Sequence, residues 1–270
     1  MHFVRGNNNV YELQQSVREM IPGTREPQPG ILGNRLLDAL TRDEVSRLAP
    51  SLRRVFLHRG QELAQPGEVL ENAYFPIDAL LWEWFDTTNT ERPTSLLAVG
   101  RRGMIGLNCV LGVAKNDSHV VVLSPGSAWR LSCEALNNAA ESVNGELRRI
   151  LSRFNYAIFK LSCCRLACNS EHNVDRRLAR WLLFIMDETG KPEISLTHQQ
   201  LADLAAIRRP SVSLAFSDLQ RRDIVRVHHG HVQILDRERL ERETCHCYDV
   251  IRHIADNVAS PAAVSLSAIE

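Results

Sequence analysis

The sequence predicts an α+β protein in three successive parts: an N-terminal double-stranded β-helix of jelly-roll type, one long pairing helix, and a C-terminal pair of short helices followed by a hairpin. Three patterns in the 270 residues predict it. Short apolar runs separated by turn residues fill 52–132, a sustained apolar rhythm follows over 143–168, and two short helical segments lead into an alternating hairpin at 224–235. With 44% hydrophobic residues the composition is that of an ordinary globular chain, and its length allows about two domains at ~150 residues apiece. The 32 Lys plus Arg are cancelled by 32 Asp plus Glu, so attraction to an anionic partner would have to be local.

No stretch reaches the ~18 apolar residues of a membrane helix, and the start (MHFVRGNNNVYELQQ) lacks the apolar centre of a signal peptide. A cytoplasmic protein with no membrane partner is expected. Seven cysteines, an odd number, fit reduced thiols better than a disulfide framework.

Residues 1–30 read as a flexible extension, with an Asn run at 7–9, a short helix over Tyr11–Met20 and the Pro- and Gly-rich IPGTREPQPG. In 34–49, Leu36, Leu37, Leu40, Val45 and Leu48 stand at helical spacings, with Thr41 and Glu44 in a capping-box pattern. The runs RRVFLHR, NAYFPI, LLWEWF, TSLLAVG, HVVVLS and SAWRLS are strands of a β-roll, which with the preceding helices makes a domain over 31–140. In the next part, 141–171, Val143, Leu147, Ile150, Phe154, Ala157, Leu161, Cys164 and Cys168 follow one another at alternating steps of four and three. That is a heptad seam on a helix roughly 39 Å long, and it predicts a two-fold dimer, with Leu151 and Ile158 on a second stripe facing the roll. Asn173 caps a helix with Val174, Leu178, Trp181, Leu182 and Ile185 on one face, stopped by Gly190 and Pro192.

In SLTHQQLADLAAIRRPSVSLAFSDLQRRDIV, Thr197 and Gln200 form a capping box, and Leu196 with Leu201 occupy hydrophobic-staple positions, so a helix starts at 197. It breaks near Ala206 and Ile207, and a second helix begins with Pro210 at its first position, burying Val212, Phe216 and Leu219. Two short helices with a tight turn are a helix-turn-helix, whose second helix enters the major groove of DNA by its N-terminus. That end carries Arg208, Arg209, Ser211 and Ser213: Arg can bond guanine O6 and N7 or phosphate, and serines at a helix start can bond phosphate oxygens. IVRVHHGHVQIL, alternating about Gly230, forms the wing, and the whole makes a domain over 172–250, with 251–270 left as a tail. Eight Lys or Arg against two acidic residues over 148–180, and five Arg against three Asp over 196–231, give the local positive charge, although a charge run on a long helix is most simply its solvated face.

A β-roll, a pairing helix and a winged helix-turn-helix in this order resemble the cyclic-AMP receptor and fumarate-nitrate regulator (Crp–Fnr) family over residues 31–250. LTHQQLADLAAIRRPSVSLAFSDLQRRDIV with HVQILDRERL matches its DNA-binding pattern, and PGEVLENAYFP with GRRGMIGL resembles its sensor domain. The resemblance implies a homodimeric transcription regulator on a pseudo-palindromic double-stranded DNA operator, with RNA polymerase and an unidentified small-molecule effector as further partners. It also implies a DNA-facing set of Thr197, His198, Gln199, Arg208, Arg209, Ser211, Ser213 and Leu214, and an effector pocket about Gly106, Leu107, Ser118 and His119.

Departures alter the expectation. The family's base readers are commonly Arg, Glu and Arg, where this chain has Arg209, Pro210 and Leu214, so its operator should differ from the usual consensus. Ala206 replaces the usual turn glycine. The Gly-Glu and Arg-Ser pairs of the cyclic-nucleotide binders are here Gly106-Leu107 and Ser118-His119, and each lost charge-assisted bond is worth ~1.5–3 kcal/mol, so tight cyclic-AMP binding is not expected. The N-terminal cysteines of the iron–sulfur branch are missing, the first cysteine being Cys109.

Cys163, Cys164 and Cys168 read first as small core residues, with redox or metal sensing as the alternative. Cys245 and Cys247 flank His246, with His228, His229 and His231 on the wing, but one short cluster does not make a zinc site, and no metal or cofactor is expected. A jelly-roll metalloenzyme would need a His-x-His pair with a Glu and a further His; the roll offers isolated His58 and His119, so no enzyme is expected. A sensor module acting through protein contacts with weakened DNA binding is the other alternative, favoured only by Pro210 and Leu214.

Overall fold

The computed structural model describes residues 32–86, 93–113, 115–141, 145–228 and 230–259. The expected extension over 1–30 and the seam position Val143 lie outside the described residues.

Two short helices, α1 (Arg35–Asp38) and α2 (Arg42–Leu48), precede the roll. Asn34 caps α1 and, fully buried, donates from Nδ2 to Pro76 O and Gly103 O at 2.9 Å each, which pins the chain to the roll. The Thr41–Glu44 capping box forms, and Glu44 Oε1 also accepts from Leu147 N at 3.1 Å. Those bonds to the ionised form hold the Glu44 carboxyl below the usual range against the opposing effect of burial.

The roll is two antiparallel sheets. One has the order β1-β7-β3, from β1 (Arg53–Leu57), β3 (Asn72–Pro76) and β7 (Gly126–Ser132). The other has the order β2-β6-β4-β5, from β2 (Glu62–Ala64), β4 (Leu80–Phe85), β5 (Thr94–Val99) and β6 (His119–Ser124). Phe75, Leu81, Met104, Val122, Ala128 and Leu131 share one core with Leu36 and Leu37. α3 (Asn108–Leu111) and α4 (Cys133–Ala140) lie side by side at its edge, and Cys109 and Cys133 are joined there as a disulfide, an exception to the reduced thiols that the cysteine count favours.

The long helix α5 (Glu146–Glu171) forms as its rhythm predicts, but the predicted seam points inward. Leu147, Ile150, Phe154 and Ala157 are 0–4% exposed within the core of the roll, Leu161 is buried in the second core, and Cys168 is fully buried. These six residues are covered by their own chain, which corrects the seam assignment at those positions, while Cys164 is half-buried. Gly103 shows how near α5 lies: a Cβ there would sit 2.9 Å from the Phe154 ring. The outward stripe is Ser152, Tyr156, Phe159, Cys163 and Leu166, again at steps of four and three, with Tyr156, Phe159 and Leu166 at 65, 63 and 71% exposure.

α6 (Val174–Thr189), capped by Asn173 and ended at left-handed Gly190, is buried along most of its surface. Trp181, Leu182 and Ile185 join a second core that runs from Leu80, Trp82, Ala98 and Leu123 of the roll into α7 (His198–Ala205), α8 (Arg209–Arg221), and the wing strands β9 (Val225–His228) and β10 (His231–Ile234), with β8 (Glu193–Ile194) at the edge of β10. Arg102, 6% exposed, bonds Glu188 Oε1 at 2.7 Å from Nε, and Glu188 Oε2 accepts from Gly100 N and Arg102 N, which ties the GRRG loop to α6. α9 (Arg237–Glu243) is followed by α10 (Cys247–Val258), which packs along α5 through Tyr248, Ile251, Ala255 and Val258. Residues 251–258 are therefore helix and not the start of a tail. No helix among the described residues is long and apolar enough to cross a membrane.

Candidate nucleic-acid interface

Thr197 Oγ1 accepts from Gln200 N at 3.1 Å and Gln200 Oε1 accepts from Thr197 N at 2.9 Å, while Leu196 and Leu201 are fully buried, so α7 starts where its cap residues dictate. It stops at Ala206, held at φ 51°, ψ 46° in the left-handed region. Arg177, on α6, donates to Ala205 O and Ala206 O, so a buried cation satisfies the last carbonyls of α7 at the negative end of its dipole. Pattern reading misses Arg177 because its partners are backbone atoms of a distant segment.

α8 begins one residue earlier than expected, with Arg209 first and Pro210 second, and Arg208 at the N-cap. Val212, Ala215, Phe216 and Leu219 face the core, and Arg208, Arg209, Pro210, Leu214 and Ser217 face outward, Leu214 at 73% exposure. Two of the expected contact residues brace the two helices: His198 Nδ1 lies 3.0 Å from Ser213 Oγ, and its ring stacks on Phe216 at 4.9 Å. Burial, then the charge of Arg209, lowers the pKa of His198. Thr197 and Gln199 are exposed, with Gln199 bonded to Asp203 at 2.8 Å; Ser211 is half-buried at the helix start.

The basic residues divide into used and unused charges. Arg221 pairs with Asp218 at 2.5 Å, and Arg222 pairs with Asp218 at 3.2 Å and also with Glu243. Of the 148–180 cluster, Arg177 and Arg180 are buried at 8 and 1% exposure, which removes two of its eight charges from any surface, and half-buried Arg165 lies over the rings of Trp181 and Phe184. Among the described residues Arg208 and Arg209 make no ion pair, and beside them Leu214 offers an apolar contact.

The expected effector residues are not gathered into one cavity. Gly106, at φ 101°, packs against β3, where a Cβ would sit 2.9 Å from Ala73 Cα. Leu107 lines a cavity of about 300 Å³ with Val110, Leu111, Asn137, Arg148 and Leu151. Ser118 directly precedes β6 of the other sheet, 1% exposed, its hydroxyl donating to Glu83 Oε1 at 2.6 Å, and His119, the first residue of β6, stacks on Trp84 at 4.1 Å. Burial foremost, and then Asp117, hold the Glu83 carboxyl above the usual range. An acid therefore stands where a phosphate would need a cation.

The cysteines also regroup. Cys163 is exposed on the outer face of α5 and Cys164 is half-buried. Cys168 faces Cys245, and the ligand atoms of Cys168, His172, Cys245 and Cys247 all lie within 4.8 Å of one another, whereas His246 is exposed.

The class of protein that this fold and face define is a winged helix-turn-helix carried on a β-roll. Residues 176–243 match the Crp-like helix-turn-helix domain. A stretch of 73 residues is 34% identical to the transcriptional regulator LdrP of Thermus thermophilus, covering 25% of this chain and 37% of that protein, so the chain spans little more than a third of that relative. Among solved structures, a CRP-family transcriptional regulator, also of Thermus thermophilus, superposes with TM-score 0.58 at 20% identity over 70% of this chain and 95% of that one. A Crp/Fnr-family regulator of Eubacterium rectale gives 0.57 at 16% over 77% and 96%. The chain therefore carries a Crp-like helix-turn-helix domain over residues 176–243, on a fold shared with these solved structures.

Proposed function

We propose that the protein is a homodimeric, sequence-specific DNA-binding transcription regulator of the cytoplasm. The observation that carries this reading is the pair Arg208 and Arg209, without an ion pair among the described residues at the exposed start of α8, with exposed Leu214 five residues on, in a domain of Crp-like type. Arg209 reads guanine, Leu214 packs on a thymine methyl, and Arg208 with the wing holds phosphate. Pro210 removes the acidic reader of cytosine, and the operator changes accordingly.

Dimerisation is assigned to the outward stripe of α5, Tyr156, Phe159, Cys163 and Leu166, because exposed apolar groups in heptad register have no cover within the described chain. Two copies then present their recognition helices to half-sites about one helical turn, ~34 Å, apart. RNA polymerase and an effector at the roll are the further partners of this reading. The effector is not a cyclic nucleotide held in the family manner, since the Ser118 hydroxyl is bonded to an acid, Glu83, and no cation stands at Ser118 or Leu107 to hold a phosphate.

Selection of bound DNA from a random pool tests the reading. A two-fold symmetric motif with half-sites one turn apart is expected, and recovery of no enriched sequence would overturn it. Calorimetry with cyclic AMP should give no binding at micromolar concentration.

A further inference from the structure

The geometry points to a tetrahedral zinc site, three thiolates and one imidazole, formed by Cys168, His172, Cys245 and Cys247. Cys168 and His172 stand one turn apart at the C-terminal end of α5, with His172 at its C-cap. Cys245 and Cys247 flank the entry to α10. The four residues come from segments more than 70 residues apart, yet Cys168 Sγ lies 3.5 Å from Cys245 Sγ and Cys247 Sγ lies 3.8 Å from His172 Nδ1, with all four ligand atoms within 4.8 Å. Zinc–sulfur bonds of ~2.3 Å directed to the corners of a tetrahedron place neighbouring ligand atoms about 3.8 Å apart. The cluster therefore needs its ligand atoms to approach one another by no more than about an ångström to close on the ion.

The surroundings supply the charge such a centre requires. Three thiolates around Zn²⁺ leave one net negative charge. Arg180, 1% exposed, has a buried Nε without a hydrogen-bond partner, and among the described residues neither it nor Arg177 is paired with a carboxylate. A buried guanidinium without a counter-charge is costly, and Arg180 lies close enough for its charge to act on Cys168. A second consideration separates this cluster from ordinary core packing. A cysteine that is only a small core residue sits among apolar groups, whereas here three thiols converge on an imidazole. Loading is a proton exchange: three S–H protons leave to solvent as three S–Zn bonds form, and neutral His172 gives its lone pair. Nothing is oxidised or reduced. The ion would staple the end of α5 to the junction of α9 and α10, fixing the outward stripe of α5 relative to the winged helix. The proposal departs from the expectation of incidental cysteines at these positions, and no local motif announces the site because the fourth ligand, His172, is 73 residues from Cys245.

The test uses the full, untagged chain purified with a thiol reductant. Elemental analysis should find one zinc per chain, and Co²⁺ in its place should give the intense visible bands of a tetrahedral thiolate site. Cys245→Ser and Cys247→Ser should each lose the zinc, while Cys163→Ser, on the exposed face, should keep it. Should the serine variants fail to fold, the wild-type chain still decides: a chelator should lower its melting temperature, and Zn²⁺ but not Mg²⁺ should restore it. Zinc retained by the Cys245→Ser/Cys247→Ser double variant, or no zinc taken up by the reduced wild-type chain, would overturn the assignment. A Cys168–Cys245 disulfide in place of zinc, persisting in chain prepared with reductant, would overturn it as well.

Discussion

The two faces of α5 keep the same apolar rhythm and meet opposite surroundings. Leu147, Ile150, Phe154 and Ala157 are covered by the roll of their own chain, whereas Tyr156, Phe159 and Leu166 are 65, 63 and 71% exposed. The arginines divide in the same way. Arg102 and Arg177 find a carboxylate and carbonyls inside the protomer, while Arg208 and Arg209 stand outward without an ion pair among the described residues. Periodicity thus identifies faces that require cover, and only the packing of the whole chain shows which of them is covered from within. The groups left over are the ones we assign to contacts with other molecules.

The sharpest way to break that division is to truncate one aromatic on each face. Phe154→Ala should cost about 3–5 kcal/mol of folding stability through the cavity it leaves. Phe159→Ala should change the stability of dilute chain by less than about 0.5 kcal/mol, yet shift sedimentation toward the monomer. Equal losses of stability in denaturant titrations of the two variants would show that the faces are not distinct. The same contrast holds for arginine. Arg102→Ala strands Glu188, 2% exposed, and should cost about 3–5 kcal/mol, seen as a lower urea midpoint. Arg209→Ala should leave that midpoint in place and cost ~1–3 kcal/mol in operator binding with relaxed preference at one base pair, and Arg208→Ala should weaken all DNA sequences alike.

How much is legible in the sequence follows from where each signal resides. The capping boxes at Thr41 and Thr197, the stop at Gly190 and the helix-turn-helix rest on residues within a few positions of one another, and they form as read. The orientation of α5 is not legible, because its inner and outer stripes obey the same spacing and the deciding neighbour, α10, begins 76 residues beyond the end of α5, mostly past the recognised pattern. The tail hides a helix although Tyr248, Ile251, Ala255 and Val258 keep a helical spacing. Ser213 and His198 take a DNA role from their place in the motif, and only the fold shows that they bond each other. Ser118 and His119 likewise mark a position but not its chemistry, since Glu83 and Trp84 reach them from the neighbouring strand β4.

Glu83 gives a smaller effect with a definite sign. Its carboxyl, raised above the ordinary range mainly by burial, holds its proton more tightly folded than unfolded. The stability it contributes is full below the unfolded carboxylate pKa and is lost as pH rises through the folded value. Glu83→Gln keeps an acceptor for the Ser118 hydroxyl and removes that loss, so the variant should gain on wild type in urea midpoint between pH 4 and neutrality, and a curve parallel to wild type would refute the placement of the acid.

The smallest expected change concerns Ala206, and it tests whether the turn serves the fold or the interface. A left-handed φ costs an L-residue ~1–2 kcal/mol, whereas glycine there pays about 0.4–1 kcal/mol through its freer unfolded chain. Ala206→Gly should therefore stabilise by about 0–1.6 kcal/mol, and the bonds from Arg177, made to backbone carbonyls, survive the change. Operator affinity should not move, because the turn geometry is already held at both carbonyls. If the glycine variant bound DNA more weakly at unchanged stability, the exposed methyl of Ala206 would belong to the outward face, and the division between inner and outer groups would have to be redrawn at the turn itself.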